Sequence, residues 1–556
     1  MAETKVKQNS TGKTPKAEKL KPSVEKPAVM DGTISAYKKS DILRIDTQDF
    51  DCNEKNYVDQ FFRSWVIPRS EVFISTENSR PYVTIQDSDD VVLTYPMKSP
   101  GFDSLLAVEI VDQTGFFANS AAFQPFTGWM AGQATRQNIR NRPFLRIGAD
   151  SEGNVIYDLA NIPKREFVKI DAQGVHIVHS SMIDGVPFIS LPTMAVQVKP
   201  AATSNGKSLV ELLRPYFQLK HESQYALLAV TIVAWFFPLM AKPIILFTGE
   251  PGAGKTLACS FVNKIVDPPN HANFNMPKKI ANLAPILANH YASLLDNVSA
   301  INEEISDFLA TAVTKSSAGS RQLYTNNSLH VTNFDFCAIL LAGINNFVCK
   351  DDLMSRLIHF PLEISSEDKR IPEAILRQQF DQDLPYIMRE IFLIISETIK
   401  LKQIISKMKA EGKSVKIPAY VGRLNDFEFH AFLISKVLFG KMSVFKTEYE
   451  ATLHREIAEL LLKDITVLCT FSYLESLALN KGENVKYTPT IFYNKVRDYG
   501  VRNGLIVQYD PHFAGSVAVF GKRVSGSNIP NKDFLKLGYD IRTGSGKTRT
   551  TTIVKL

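Results

Sequence analysis

The 556-residue chain is poor in cysteine, in tryptophan and in long apolar runs. Its five cysteines, Cys52, Cys259, Cys337, Cys349 and Cys469, are odd in number and widely spread. Neither a Cys-x-x-Cys pair nor a histidine-rich ligand spacing occurs, which argues against a structural zinc. Buried free thiols in a reducing cytosol are expected instead. No apolar run follows the charged start, so a secretory signal is not expected and the reading is cytoplasmic. An excess of one charge is also lacking. Lys and Arg number 64 against 57 Asp and Glu, and a net charge of +7 is too mild to establish nucleic-acid binding. With 45% hydrophobic and 22% charged residues, most of the chain is neither disordered, collagenous nor a disulfide scaffold.

Residues 225–246 come nearest to a membrane span. Pro238, Lys242 and Pro243 interrupt them and leave an apolar run of about 16 residues, short of the roughly 20 a bilayer needs. A buried helix followed by a buried strand is expected, with no membrane partner. Residues 1–36 contain no aromatic residue and read as a solvated basic tail, with weak non-specific nucleic-acid contact as the sharper alternative. Residues 37–204 hold short β-branched and aromatic runs punctuated by Gly, Asp, Asn and Pro, the pattern of a β-rich α+β domain. The glycine-containing stretch around Trp129 is expected to be irregular. Residues 205–375 alternate helical and β-type patterns, which predicts a parallel α/β core. Residues 376–464 read as a helical lid and connector, with Leu384, Ile387, Ile391, Ile394 and Ile395 at core spacing. Residues 465–556 mix helical patterns with a basic, strand-rich end.

Within the α/β region, Gly249, Glu250, Pro251, Gly252, Ala253, Gly254, Lys255 and Thr256 match G-x-x-x-x-G-K-[ST] completely. An apolar strand precedes this run and a helix-forming run follows it. Glycines let backbone N–H groups wrap a polyphosphate, and the helix N-terminus adds favourable partial charge. Lys255 can reach the β and γ phosphates of ATP, and the Thr256 hydroxyl can ligate Mg²⁺. A second G-K-T, at Lys547 and Thr548, has Ile541 where the first glycine should be and no helix after it, so a turn between strands is expected there.

Hydrolysis also needs a carboxylate to hold the metal and a group to orient water. Asp296, at the end of an apolar run 41 residues after Lys255, is the metal-ligand candidate, with a strand-end turn carboxylate as the alternative. Asn297 follows where Glu is usual in such ATPases. It can position water without acting as a base, and Glu303 and Glu304 are weaker candidates. A third apolar strand leads to Asn345, an amide that could reach the γ-phosphate. Eleven residues further on stands Arg356, a candidate to complete a neighbouring subunit's site; a salt bridge to Asp351 or Asp352 is the alternative.

This order of motifs resembles the AAA+ ATPases over roughly residues 205–440. The resemblance makes Gly249–Thr256 Walker A, Leu294–Asp296 Walker B and Asn345 sensor 1. The segment around Arg356 is similar to the arginine-finger segment of the minichromosome-maintenance helicases, and Arg423 takes the place of sensor 2, a nucleotide contact, with capping or pairing within the helical lid as the alternative. Asp296-Asn-Val-Ser, Ser306-Asp-Phe-Leu, Thr314 and Ser320-Arg-Gln-Leu-Tyr-Thr resemble a narrower group, the replicative helicase and primase-associated ATPases of phages, plasmids and integrative elements.

Two places could hold DNA. Residues 320–334 read as a hairpin turning at Asn326, Asn327 and Ser328, where helicase-type rings carry a pore hairpin. Lys315 and Arg321 could neutralise phosphates there, with a plain surface hairpin as the alternative. Residues 521–556 contain eight Lys and Arg against two Asp. A helix from Ile529 to Leu537 followed by a β-hairpin predicts a winged helix, with Lys522, Arg523, Lys547 and Arg549 as DNA contacts or, alternatively, a protein-docking module. The leading reading is an ATP-driven DNA translocase or helicase of a mobile element. The resemblance implies a ring, as a hexamer, with single-stranded DNA in the pore and duplex at the winged helix. The alternatives are an ATP-dependent regulatory or defence-related remodeller of a protein partner, and a DNA-binding scaffold with weak ATPase activity.

Overall fold

Helical turns over residues 57–69 open the described part of the chain and lead into strands with one face buried. The computed structural model describes residues 56–321 except 163, 184 and 300, then 329–343, 351–364, 371–527 except 463, 531–544 and 549–556. Strands β1 (Ser70–Ser75), β2 (Pro81–Gln86) and β3 (Val92–Pro96) form an antiparallel meander. Val83 and Ile85 are fully buried with Thr84 between them less so, the period-two signature of a one-sided sheet. Two helices, Pro100–Thr114 and Ser120–Gln137, then cover this sheet's core, and β4 (Arg140–Asn141) joins β1 in parallel. Trp129 therefore lies in an 18-residue helix rather than an irregular stretch. Asn119 caps that helix by accepting the Ala122 N–H, and Phe123, Thr127, Met130 and Ala134 bury one face at helical spacing. One face of good spacing outweighs Pro125, Gly128 and Gly132.

A second antiparallel sheet follows, β5 (Ile147–Ala149), β6 (Val155–Asp158), β7 (Glu166–Asp171) and β8 (Gly174–His179), in sequence order. Arg146 stitches it to the α/β core. Its guanidinium is fully buried and donates from Nε to Asp267 Oδ1 (3.0 Å), from Nη1 to Asp158 O (3.1 Å) and from Nη2 to Ala195 O (2.8 Å). The other Asp267 oxygen accepts the N–H groups of Tyr291 and Ala292.

The α/β core includes the almost wholly buried helix Gln224–Ala234 and strand β9 (Ile244–Thr248), which is what residues 225–246 become. Around β9 assemble β10 (Phe274–Asn275), β11 (Ala292–Val298), β14 (Ala338–Gly343) and β15 (Leu357–Pro361), all parallel, in the order β10-β11-β14-β9-β15. Between β11 and β14 the chain makes helix Glu303–Ala312 and the antiparallel hairpin of β12 (Lys315–Arg321) and β13 (Leu329–Asp335). The hairpin's base meets the first sheet, where Asn333 N–H donates to Glu77 O at 2.9 Å.

Helices Glu373–Ala410, Asn425–Phe439 and Ser443–Leu461 follow, and all five apolar residues assigned to the core by their spacing are buried. The end of the chain holds helix Ile465–Ser476, β16 (Asn484–Tyr487), helices Pro489–Arg502 and Val517–Val524, β17 (Gly526–Ser527), β18 (Tyr539–Thr543) and β19 (Thr551–Lys555), with sheet order β16-β19-β18-β17. The helix expected from Ile529 to Leu537 spans only Lys532–Lys536, because Asn531 caps it by accepting from Asp533 and Phe534. Cys259 and Cys469 are buried free thiols and Cys337 is half-buried; Cys52 and Cys349 lie outside the described residues. Among the described residues no helix is long and apolar enough to cross a membrane.

Replacing Arg146 by Ala should destabilise the fold by about 3–5 kcal/mol, since it strands the buried Asp267 carboxylate and frees the carbonyls of Asp158, Ala195 and Pro268. Chemical denaturation measures this, and a loss under about 1 kcal/mol would show that the stitch is dispensable.

Candidate functional site

The site is built where β9 ends. Thr248 closes the strand, the loop Gly249–Gly254 turns, and helix Lys255–Val266 begins. A Cβ on Gly249 would lie 2.9 Å from Leu362 O and 3.0 Å from the Ala253 Cβ, so only glycine lets the loop pass this close to β15. Gly254 caps the helix in the left-handed region, at φ 77°. Lys255 folds back over the loop, its Nζ donating to Gly249 O and Glu250 O, each at 2.9 Å. Both bonds are to carbonyls of the loop itself, so an anion seated in the loop can take the ammonium over.

Thr256 Oγ1 donates to Asp296 Oδ1 at 3.0 Å, bringing together two residues 40 positions apart. Asp296 ends the buried part of β11, and its Oδ1 also accepts the Asn297 N–H at 2.7 Å. This is a pair of hard oxygen donors at a helix N-terminus, the donor set suited to Mg²⁺, which is bound by one or two protein oxygens while substrate phosphates and water complete its shell. Asn297 has a positive φ of 55° and donates from Nδ2 to Asn275 Oδ1 at 3.0 Å. Glu303 and Glu304 are exposed in the first turn of the next helix, capped by Asn302. Asn345 lies outside the described residues; β14, which precedes it, stands between β11 and β9.

Arg356 sits at the other end of the sheet. Its carbonyl accepts the Ile244 N–H, and β15 then runs beside β9 until Pro361 pairs with Thr248. Five strand residues put about 16 Å between Arg356 and the loop of its own chain. Arg356 Nη1 pairs with an Asp352 carboxylate oxygen and bonds Asp352 O at 3.1 Å, while its Nε is buried without a hydrogen-bond partner. Arg423 pairs with the other Asp352 oxygen at 2.5 Å. Arg423, the sensor 2 candidate, thus stands with Arg356 on Asp352, the pairing left open as its alternative; Glu428 holds the preceding turn by accepting the Val421 and Gly422 N–H groups, each at 2.6 Å.

Sequence reasoning missed Asp352 as the shared partner, and also His359. His359 is buried in the middle of β15, and its Nε2 shares a hydrogen bond of 2.5 Å with Thr248 Oγ1, next to the loop. Only the strand register reveals that contact. A further cluster was legible as charge: residues 400–441 carry nine Lys and Arg against three Asp and Glu, most of them exposed around the end of the 38-residue helix.

Of the expected DNA contacts, Lys315 is exposed at the base of the hairpin and Arg321 ends β12, while Asn326 and Asn327 lie outside the described residues. Lys522 is exposed and, with Arg549, borders a groove of about 670 Å³ that Phe492, Phe520 and Thr551 also line. Arg523 does not share that role. It is committed to Asp464 at 2.5 Å and Asp533 at 2.7 Å, so its charge is neutralised within the fold. Lys547 lies outside the described residues, in the segment between β18 and β19.

With this geometry in view, residues 212–416 match the family model of the actinomycete integrative conjugative element replication protein. A search of the curated proteins finds no match. Among solved structures, the chain is similar to two apo structures of the NrS-1 C-terminal region. One is 12% identical, with 90% of this chain and 99% of that chain covered and a TM-score of 0.38; the other is 11% identical, with 90% and 98% covered and a TM-score of 0.37. TM-scores this low do not establish a shared fold.

Burial holds the His359 imidazole down to about 4, with His221 adding to the effect, and burial beside Lys402 does the same to His430. Both rings are neutral in the fold and take up a proton on unfolding. The stability their neutral forms supply is complete above about pH 6.5 and is lost as the pH falls toward 4, on the order of 3 kcal/mol for each. His359→Gln should keep the bond to Thr248 and flatten this dependence. If the stability difference between the wild type and this variant stays constant from about pH 7 to about pH 4.5, His359 does not contribute to it.

Proposed function

We propose that this chain is an ATP-driven DNA translocase of a mobile element's replication machinery, with an AAA+ core, acting as a ring whose nucleotide sites lie between protomers. The observation that carries the reading is the meeting of Thr256 with Asp296 at 3.0 Å beside the loop covered by Lys255. The match to a replication-protein family supports the replication context. In this reading the loop N–H groups and Lys255 hold the β and γ phosphates, and Thr256 and Asp296 hold Mg²⁺, which screens the phosphate charge when bound. Asn297, tied to Asn275, orients water in the place usually taken by a glutamate, and Asn345 is assigned to the γ-phosphate.

Distance supports a site shared between chains. Arg356 and Arg423 are about a strand's length from their own loop, so the charge that builds up on a transferring phosphate can be met by them only in a neighbouring chain. Asp352 keeps both arginines paired until a phosphate competes for them. Lys315, Arg321 and the turn at Asn326 and Asn327 would face the DNA strand in the pore. The helices and strands of residues 465–556 are assigned a winged-helix role, with Lys522, Lys547 and Arg549 on phosphates. A forked duplex supplied with ATP tests the whole reading; ATP turnover without strand displacement would move it to a remodeller of a protein partner. A DNA-binding scaffold with slow turnover is the second reading, favoured by the absence of a carboxylate at Asn297.

Lys255→Ala should abolish ATP turnover in a folded protein, and Arg356→Ala should lower it on the order of 10³-fold while leaving nucleotide binding largely intact. Mixed in equal amounts, the two variants should recover part of the activity, because some interfaces combine an intact Lys255 with an intact Arg356. Mixtures that stay inactive at every ratio, although wild-type subunits diluted into either variant still turn over, would rule out a site shared between chains.

Deleting residues 521–556 removes eight basic and two acidic side chains. For every DNA phosphate deprived of its basic partner, the slope of log K against log salt should flatten by about 0.7–0.9, while DNA-independent ATPase activity changes little. Fluorescence anisotropy across a salt series reads this; an unchanged slope would assign the module to protein docking.

A further inference from the structure

Away from the glycine-rich loop, two imidazoles face each other at the edge of the parallel sheet. His271 precedes β10 and His290 precedes β11, and their Nε2 atoms are 2.8 Å apart. The second nitrogen of each ring meets a backbone carbonyl: His271 Nδ1 is 2.6 Å from Ala272 O, and His290 Nδ1 is 2.8 Å from Ile286 O. A carbonyl can only accept, so both Nδ1 atoms carry the ring proton and each neutral ring presents a lone pair at Nε2. Two lone pairs at this distance repel unless a cation joins them. A carbonyl behind each ring is also how proteins fix the tautomer of metal-binding histidines and aim the free nitrogen.

Two further observations converge on the same place. The rings border a small cavity of about 10 Å³, room for about one water-sized body. Asn263, from the helix that follows the glycine-rich loop, borders that cavity too, and its buried Oδ1 has no hydrogen-bond partner in the protein. Asp267, the carboxylate that acts on His290, is already occupied by Arg146 and by the N–H groups of Tyr291 and Ala292.

We propose that His271, His290 and Asn263 form a seat for one divalent transition-metal ion of the zinc class, held by two imidazole nitrogens and one amide oxygen with water completing the shell. Imidazole selects zinc, copper and nickel over magnesium and calcium. Tetrahedral zinc places two nitrogens about 3.3 Å apart, so the rings need to part by only about half an ångström. The ion would clamp the edge strand β10, whose Asn275 touches Asn297 beside Asp296. Among the described residues no cluster of three His, Cys, Asp or Glu offers a competing seat.

The test uses the full chain, stripped with a chelator and titrated calorimetrically with Zn²⁺ near pH 7.5, with bound metal counted by elemental analysis after desalting. One Zn²⁺ per chain is expected, with a rise in melting temperature. Binding should weaken at least tenfold in His271→Ala and in Asn263→Ala. His271 stands on a partly exposed turn, so its variant should fold even if His290→Ala does not. Zinc bound equally well by His271→Ala would mean that the ion sits elsewhere, for instance at Thr256 and Asp296. Failure of the wild type to bind zinc would mean that the rings only share a proton. Either result overturns the seat.

Discussion

The burial of β9 on both faces and both edges is the constraint on which the rest of the core depends. Its five residues have β14 on one side and β15 on the other, and Ile244, Ile245, Leu246 and Phe247 are wholly inaccessible to solvent. A strand so enclosed cannot slip by one residue without turning its buried side chains to the wrong neighbours. The loop that leaves it is therefore delivered to one place, with Gly249 pressed against Leu362 and Thr256 against Asp296. Neither contact is local in sequence, and both are set by the register of strands that the hydrophobic pattern aligns.

The same sheet sets the distance between two groups of charge. At the C-terminal ends of the strands are Lys255, Thr256 and Asp296; at the opposite end are Arg356, Arg423 and Asp352. Strand β15 links them physically, since Arg356 precedes it and His359, in its middle, touches Thr248. A protein that assembled with other copies of itself could use each end of the sheet in a different interface. The single carboxylate of Asp352 is shared by two guanidinium groups.

Charge alone was a poor guide to which cations are available. Arg523 and Lys522 are neighbours in a basic segment, yet Arg523 is held by two aspartates and Lys522 is exposed. The basic stretch of residues 400–441 is hidden within a chain-wide net charge of +7, although its own excess is six. Long helices spread such charges over a surface, and only a windowed count reveals them. The Trp129 helix escaped for the opposite reason: glycine and proline are read as breakers, and the packing of Phe123 and Met130 against the first sheet's core overrides them.

What the sequence determined by itself was the local pattern: a glycine-rich loop between a strand and a helix, an acid at a strand end, and helices whose apolar residues recur at core spacing. These depend on short runs of residues whose periodicity and backbone demands are self-contained. Tertiary structure alone decided which of these features meet. It set Thr256 beside Asp296, joined Arg423 and Arg356 on one carboxylate, drew Arg523 into ion pairs and brought His271 to His290 across 19 residues. Such meetings follow from strand order and crossing helices, and a chain of side-chain identities does not contain the distances those impose.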